Sequence, residues 1–180
     1  MNSGIESDNI QTENIHEFYT DGGGNTGNGT WAFINTKCPS TVIIGYELDT
    51  TNNRMELTAV IEAIKSAPAG SIVHIFTDSG YVQNGYTKWV RNKWRLKQPF
   101  KNQDLWEQML ILGILYDIRL TLIPGHNGIE FNEIVDAACT WTLRNMDSGT
   151  ITNTQTINLP KGIGEKKLIC PQVTRVGRNV

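Results

Sequence analysis

The sequence predicts an α/β domain built on one mixed sheet with helices packed against its faces. Three observations carry that reading. Residues 16 to 47 form three short strand-like runs joined by brief turns, and from Asn52 onward strand and helix periods alternate. Two strand ends also read almost alike: Phe18-Tyr19-Thr20-Asp21-Gly22-Gly23 and Ile75-Phe76-Thr77-Asp78-Ser79-Gly80. A meander makes antiparallel neighbours and strand–helix alternation makes parallel ones, so the sheet is expected to hold both.

Each element has its own signal. A strand from His16 to Asp21 ends in the turn Gly22-Gly23-Gly24-Asn25-Thr26-Gly27-Asn28-Gly29, which leads to strands near 30–35 and 41–47. Met55, Ala59, Val60, Ala63, Ile64 and Ala67 then recur at helical spacing until Pro68 closes the segment. Ile72-Val73-His74-Ile75-Phe76 has the length and β-branched content of a buried strand. A short helix is expected near 81–85, followed by a basic stretch. A helix over about 102–115 carries Leu105, Met109, Leu112 and Leu115 on one face. A last strand spans about 119–123, and a helix over 130–145 aligns Ile134, Ala138 and Trp141. Residues 1–15 read as a disordered acidic leader. Residues 147–180 read as a flexible polar and basic extension to which no element is assigned, leaving 16–146 as the domain.

Bulk properties narrow the class. The 180 residues, 39% hydrophobic and 19% charged, fit one globular domain with tails. No run approaches the roughly 18 apolar residues of a membrane span, and the N-terminus has no secretory pattern. Cys38, Cys139 and Cys170 are widely spaced, which fits free thiols in a reducing, cytoplasmic setting and argues against a zinc site or disulfide frame. The net charge of −2 hides an asymmetry: residues 1–17 hold four acids and no Lys or Arg, whereas 88–101 hold six Lys and Arg and no acid. Such a chain is not a general DNA coater, but a local patch could hold a phosphate backbone.

The chemistry begins at the two strand ends. Ligands in α/β sheets gather beyond the carboxyl ends of strands, so Asp21 and Asp78 are expected to converge on one crevice. Two carboxylates that must both stay ionised call for a cation between them. Glu56 lies on the apolar stripe of its helix, with Val60, Ala63 and Ile64 at i+4, i+7 and i+8. It either sits at the stripe's edge, reaching water or paired with Arg54, or serves as a ligand. Beside two strand-end aspartates the ligand is the better reading. His126, in the loop Pro124-Gly125-His126-Asn127-Gly128, suits proton transfer near neutral pH. Asp136 lies one turn beyond Asn132 on the last helix.

The set Asp21, Glu56, Asp78, His126 and Asp136, on five separate elements, resembles type 1 ribonuclease H, including the ribonuclease H domains of reverse transcriptases. The resemblance runs through Tyr19-Thr20-Asp21-Gly22, Thr50-Thr51-Asn52-Asn53-Arg54-Met55-Glu56-Leu57 and Thr77-Asp78-Ser79-Gly80-Tyr81-Val82. It continues through Lys101-Asn102-Gln103-Asp104-Leu105-Trp106, Gly125-His126-Asn127-Gly128 and Asn132-Glu133-Ile134-Val135-Asp136. It implies a ribonuclease H-like fold: a five-stranded mixed sheet, its first three strands antiparallel, flanked by helices. It also implies a monomeric endoribonuclease that cuts the RNA strand of RNA–DNA hybrids with two Mg²⁺ ions, for which Mn²⁺ would substitute, and needs no small-molecule cofactor. Asp21 would bridge both ions, Glu56 and Asp78 would complete one, and Asp136 would hold the other. His126 would assist proton movement or product departure.

The same resemblance assigns substrate contacts. Asn25, Asn52 and Asn53 would read the minor groove, where the 2′-OH separates RNA from DNA. Thr51 and Asn92 would hold a phosphate of the DNA strand, with Arg54 in the same segment. Trp89 would pack beside that strand in the basic run 88–97. Position 80 is Gly where many family members carry a Gln that touches the hybrid.

Overall fold

The computed structural model describes residues 14–24, 27–90, 101–146, 154–158 and 172–174. Residues 1–13 of the expected leader, Asn25, Asn92 and most of the basic stretch lie outside these residues, while Ile15, read as leader, opens the first strand by pairing with Ile72.

Five strands form the centre: β1 (Ile15–Gly24), β2 (Asn28–Asn35), β3 (Thr41–Leu48), β4 (Ile72–Thr77) and β5 (Asp117–Leu122). Four helices accompany them: α1 (Asn52–Ser66), α2 (Gly80–Gly85), α3 (Gln103–Leu115) and α4 (Glu130–Asn145). A single π-helical turn, Tyr86–Val90, continues α2. β1, β2 and β3 are antiparallel neighbours, while β1, β4 and β5 run parallel. The meander and the alternation thus meet at β1, which is the centre of the mixed sheet.

The sheet continues beyond β3. Two strands from the C-terminal extension, β6 (Thr154–Asn158) and β7 (Gln172–Thr174), add antiparallel to it, giving the order β5-β4-β1-β2-β3-β6-β7. The Thr-rich run gave no apolar alternation to mark a strand. Its pairing comes from the edge that β3 offers, which is a tertiary cause.

Two cores lie on opposite sheet faces. Phe18, Phe33, Val73 and Ile75 pack against α1 and α3, and Ala32, Ile34, Val42 and Ile44 pack against α4. α1 buries more than the expected stripe, adding Leu57 and Ile61. It is wedged between the sheet and α3 and so has two covered sides. No described helix is long and apolar enough to cross a membrane.

Candidate active site

The look-alike strand ends are neighbours because β1 and β4 pair in parallel with Thr20 opposite Thr77. One residue further along each strand come Asp21 and Asp78, side by side at the carboxyl edge of the sheet. The third acid arrives from α1, whose N-cap Thr51 accepts a hydrogen bond from the Arg54 amide. Gly22 permits the approach: a Cβ there would lie 2.1 Å from the Glu56 nitrogen and 2.3 Å from the Met55 carbonyl carbon. With no side chain at 22, α1 sits directly on β1 and delivers Glu56 to Asp21. Ligand oxygens of Asp21, Glu56 and Asp78 all lie within 4.8 Å of one another.

These carboxylates are poorly matched to an ionised state by the protein alone. Burial, then the charges of Asp21 and Asp78, pushes Glu56 up to about 9, while the Gly22 backbone amide and the Asn52 side chain pull the other way. Burial, then Asp78 and Asp136, raises Asp21 to about 6. Glu56 Oε2 is buried with no hydrogen-bond partner, and its Oε1 has only a 3.5 Å contact from Asn52 Nδ2. Among the described residues no Lys or Arg pairs with Asp21, Glu56 or Asp78. A crowded, buried oxygen cluster with an orphaned acceptor fits a divalent cation that prefers oxygen ligands.

Asp136 stands slightly apart. Its Oδ2 lies 3.8 Å from His126 Nδ1, and it forms a second group with His126 and Glu133. Burial raises its carboxyl, with Glu133 and Asp78 adding to the effect and His126 opposing it. His126 is 78% exposed and adopts a left-handed backbone (φ 51°). Its loop is fixed at both ends. A Cβ on Gly125 would lie 2.8 Å from Asp78 Oδ2, and the Gly128 amide donates to Glu133 Oε1 at 3.3 Å.

The substrate-contact candidates are distributed unevenly. Thr51, Asn52 and Asn53 are exposed at the N-terminal end of α1, beside the carboxylates. The Arg54 guanidinium turns away to a bidentate pair with Asp104 at 2.9 and 2.7 Å, with Glu47 at 3.8 Å. The Asp104 hydrogen bonds hold Arg54 above its ordinary value and Asp104 below its own. Trp89 lies in the π-helical turn, whose backbone alone is described there, and Asn25 and Asn92 fall outside the described residues.

Three contributors are not singled out as site residues by the sequence. Asn132 donates to Asp78 Oδ2 at 3.2 Å, Glu133 holds the His126 loop, and the Cys139 thiol donates to the Asp21 carbonyl at 3.4 Å. Asn132 and Cys139 lie four and three residues from Asp136, on neighbouring turns of one helix. That spacing is the signal that could have drawn attention to them.

Comparison with known proteins agrees with this geometry. The RNase H family model matches residues 13–143. Similar chains include the ribonuclease H of Hydrogenovibrio crunogenus, 43% identical over 129 residues that cover 67% of this chain and 89% of the relative. That of a Thermoanaerobacter species is 38% identical over 136 residues, covering 70% and 88% of the two chains. The ribonuclease HI of Neisseria meningitidis serogroup B is 43% identical over 127 residues, covering 66% and 88%.

Proposed function

The chain belongs to the ribonuclease H family and is a nuclease, and from that premise we propose that it is an endoribonuclease acting on the RNA strand of RNA–DNA hybrids. The proposed products end in 5′-phosphate and 3′-hydroxyl. The observation that carries the reading is the triad of buried Asp21 and Glu56 with half-buried Asp78, their oxygens within 4.8 Å of one another and Glu56 Oε2 unpartnered. Asp136, close enough to raise Asp21 yet grouped with His126, supports two adjoining ion positions.

In this reading Asp21 contributes to both positions. Glu56 and Asp78 would complete the ion that serves the leaving group, and Asp136 would hold the ion that activates water. Two bound Mg²⁺, or Mn²⁺ in their place, would stabilise the attacking and leaving oxygens of an in-line displacement. His126, exposed and 3.8 Å from Asp136, takes up or releases protons there, or eases product departure. Thr51, Asn52 and Asn53 meet the hybrid at the α1 N-terminus, where backbone amides favour a phosphate. Asn25 is assigned with Asn52 and Asn53 to reading the minor groove, Asn92 with Thr51 to a phosphate of the DNA strand, and Trp89 to packing beside that strand. Arg54 contributes by bracing this end of α1 against α3 through Asp104. Catalysis is assigned to residues 16–146. One chain holds the full carboxylate set, so a monomer suffices, and the thiols of Cys38 and Cys139 fit action inside the cell.

The test is a set of end-labelled duplexes of one sequence (RNA–DNA, DNA–DNA and RNA–RNA) incubated with Mg²⁺ or with EDTA. The expected result is internal cuts in the RNA of the hybrid alone, abolished by EDTA. Cleavage of all-DNA duplex at a similar rate would overturn the substrate assignment, and EDTA-resistant cleavage would overturn the metal assignment.

A further inference from the structure

We propose that Asn132 is a positioning residue whose side-chain amide orients the Asp78 carboxylate and so sets the affinity of the site for a divalent cation. The proposal rests on the metal-dependent reading above. Asp78 lies just past the end of β4, outside the ladder that fixes Thr77. Its carboxylate is therefore held by side-chain contacts rather than by sheet pairing. One hydrogen bond reaches its Oδ2, and a glycine lies close beside that oxygen. Asn132 Nδ2 donates to Oδ2 at 3.2 Å, and the bare Cα of Gly125 leaves no room for a Cβ beside it. The hydrogen bond anchors Oδ2 and the close glycine limits where it can move, so together they restrict the rotation of the carboxylate and the direction of its second oxygen.

Stability does not explain Asn132. The residue is 2% exposed, yet its Oδ1 has no donor among the described residues. A buried amide with one end unsatisfied costs free energy that an apolar side chain of the same shape would avoid. What the amide supplies is a donor that cannot titrate and carries no charge. A Lys or Arg in its place would neutralise the negative field a cation needs, whereas a neutral donor orients Asp78 and leaves that field intact. Its placement three residues into α4 also ties Asp78 to the helix that carries Asp136. The two halves of the carboxylate set are then positioned by one rigid element.

The experiment is calorimetric titration of the full chain with Mn²⁺ alone, comparing wild type with Asn132→Leu and, should that variant not fold, Asn132→Ala. Thermal melts and hybrid-cleavage kinetics at limiting Mg²⁺ accompany it. Removing a partner that orients a metal ligand typically weakens metal affinity about 10–100-fold. Mn²⁺ affinity is expected to fall by about tenfold or more in that range, with kcat lowered and KM for the hybrid within about twofold. Asn132→Leu is expected to melt at or above the wild-type temperature. Mn²⁺ affinity within about twofold of wild type in a folded variant would overturn the role of Asn132 alone. A wild-type chain that binds no Mn²⁺ would overturn this role and the metal reading together.

Discussion

Glu56 is expected to make the stability of the metal-free protein fall as pH rises, and Glu56→Gln to remove most of that dependence. In the unfolded chain a glutamate releases its proton near 4.5, whereas burial beside Asp21 and Asp78 raises Glu56 to about 9. At about 1.4 kcal/mol per tenfold change in proton affinity, the ionised form is disfavoured by at most about 6 kcal/mol, comparable to the whole stability of a small domain. The sign follows from proton counting. Between pH 6.5 and 8 the unfolded chain holds no proton on Glu56 and the folded chain holds one, so raising the pH favours unfolding by about 1.4 kcal/mol per pH unit. Asp21, raised to about 6, has largely titrated below this window. For a domain of this size the slope corresponds to about 4 °C of melting temperature per pH unit. Melting curves in EDTA at pH 6.5, 7.0, 7.5 and 8.0 measure it. Wild type should lose stability across the series, Glu56→Gln should be nearly flat, and saturating Mg²⁺ should flatten wild type by favouring the ionised carboxylates. A flat wild-type profile, or an equal slope in Glu56→Gln, would refute the claim that Glu56 is buried among like charges.

Other outcomes follow from the same geometry. Gly22→Ala would drive a methyl into the α1 backbone at Glu56, and it is expected to cost about 3 kcal/mol or more in chemical denaturation and to abolish hybrid cleavage. Asp104→Asn removes the bidentate partner of Arg54. Because the Asp104 side chain is 58% exposed, the loss should be only about 1 kcal/mol, shrinking in high salt. A chain ending at Met146 lacks β6 and leaves β3 as an open edge. Denaturant titration and light scattering should register a loss of about 2 kcal/mol and greater self-association, while Mg²⁺-dependent cleavage persists.

Much of this architecture was legible because local and global signals agree. The paired Thr-Asp motifs mark both strands, but only β4 stops there. β1 runs on through Gly24 because Gly22–Gly24 pair with β2, and the register of Thr20 with Thr77 turns the repetition into contact. The helical phase of Glu56 placed a charge among apolar neighbours, an expensive arrangement that is understandable only at a site. The close approach at Gly22 depends on where α1 lands, and that emerges only from three-dimensional packing. The Arg54–Asp104 pair joins residues 50 positions apart, so no local pattern announces it. Asn132 stands in a matching segment but carries no assigned role there, because an asparagine in the first turn of a helix usually serves the helix end. β6 was hidden because its pairing belongs to β3 rather than to its own composition.

The central claim is that Asp21, Glu56, Asp78 and Asp136 together hold the ions that cut the hybrid, and Asp21 is the residue common to both ion positions. Single-turnover cleavage of a labelled RNA–DNA hybrid in saturating Mg²⁺, wild type against Asp21→Asn, tests it most directly. The expected loss is about 1,000-fold or more, equivalent to about 4 kcal/mol of transition-state stabilisation, with hybrid binding retained. Cleavage by Asp21→Asn within about tenfold of wild type would contradict it.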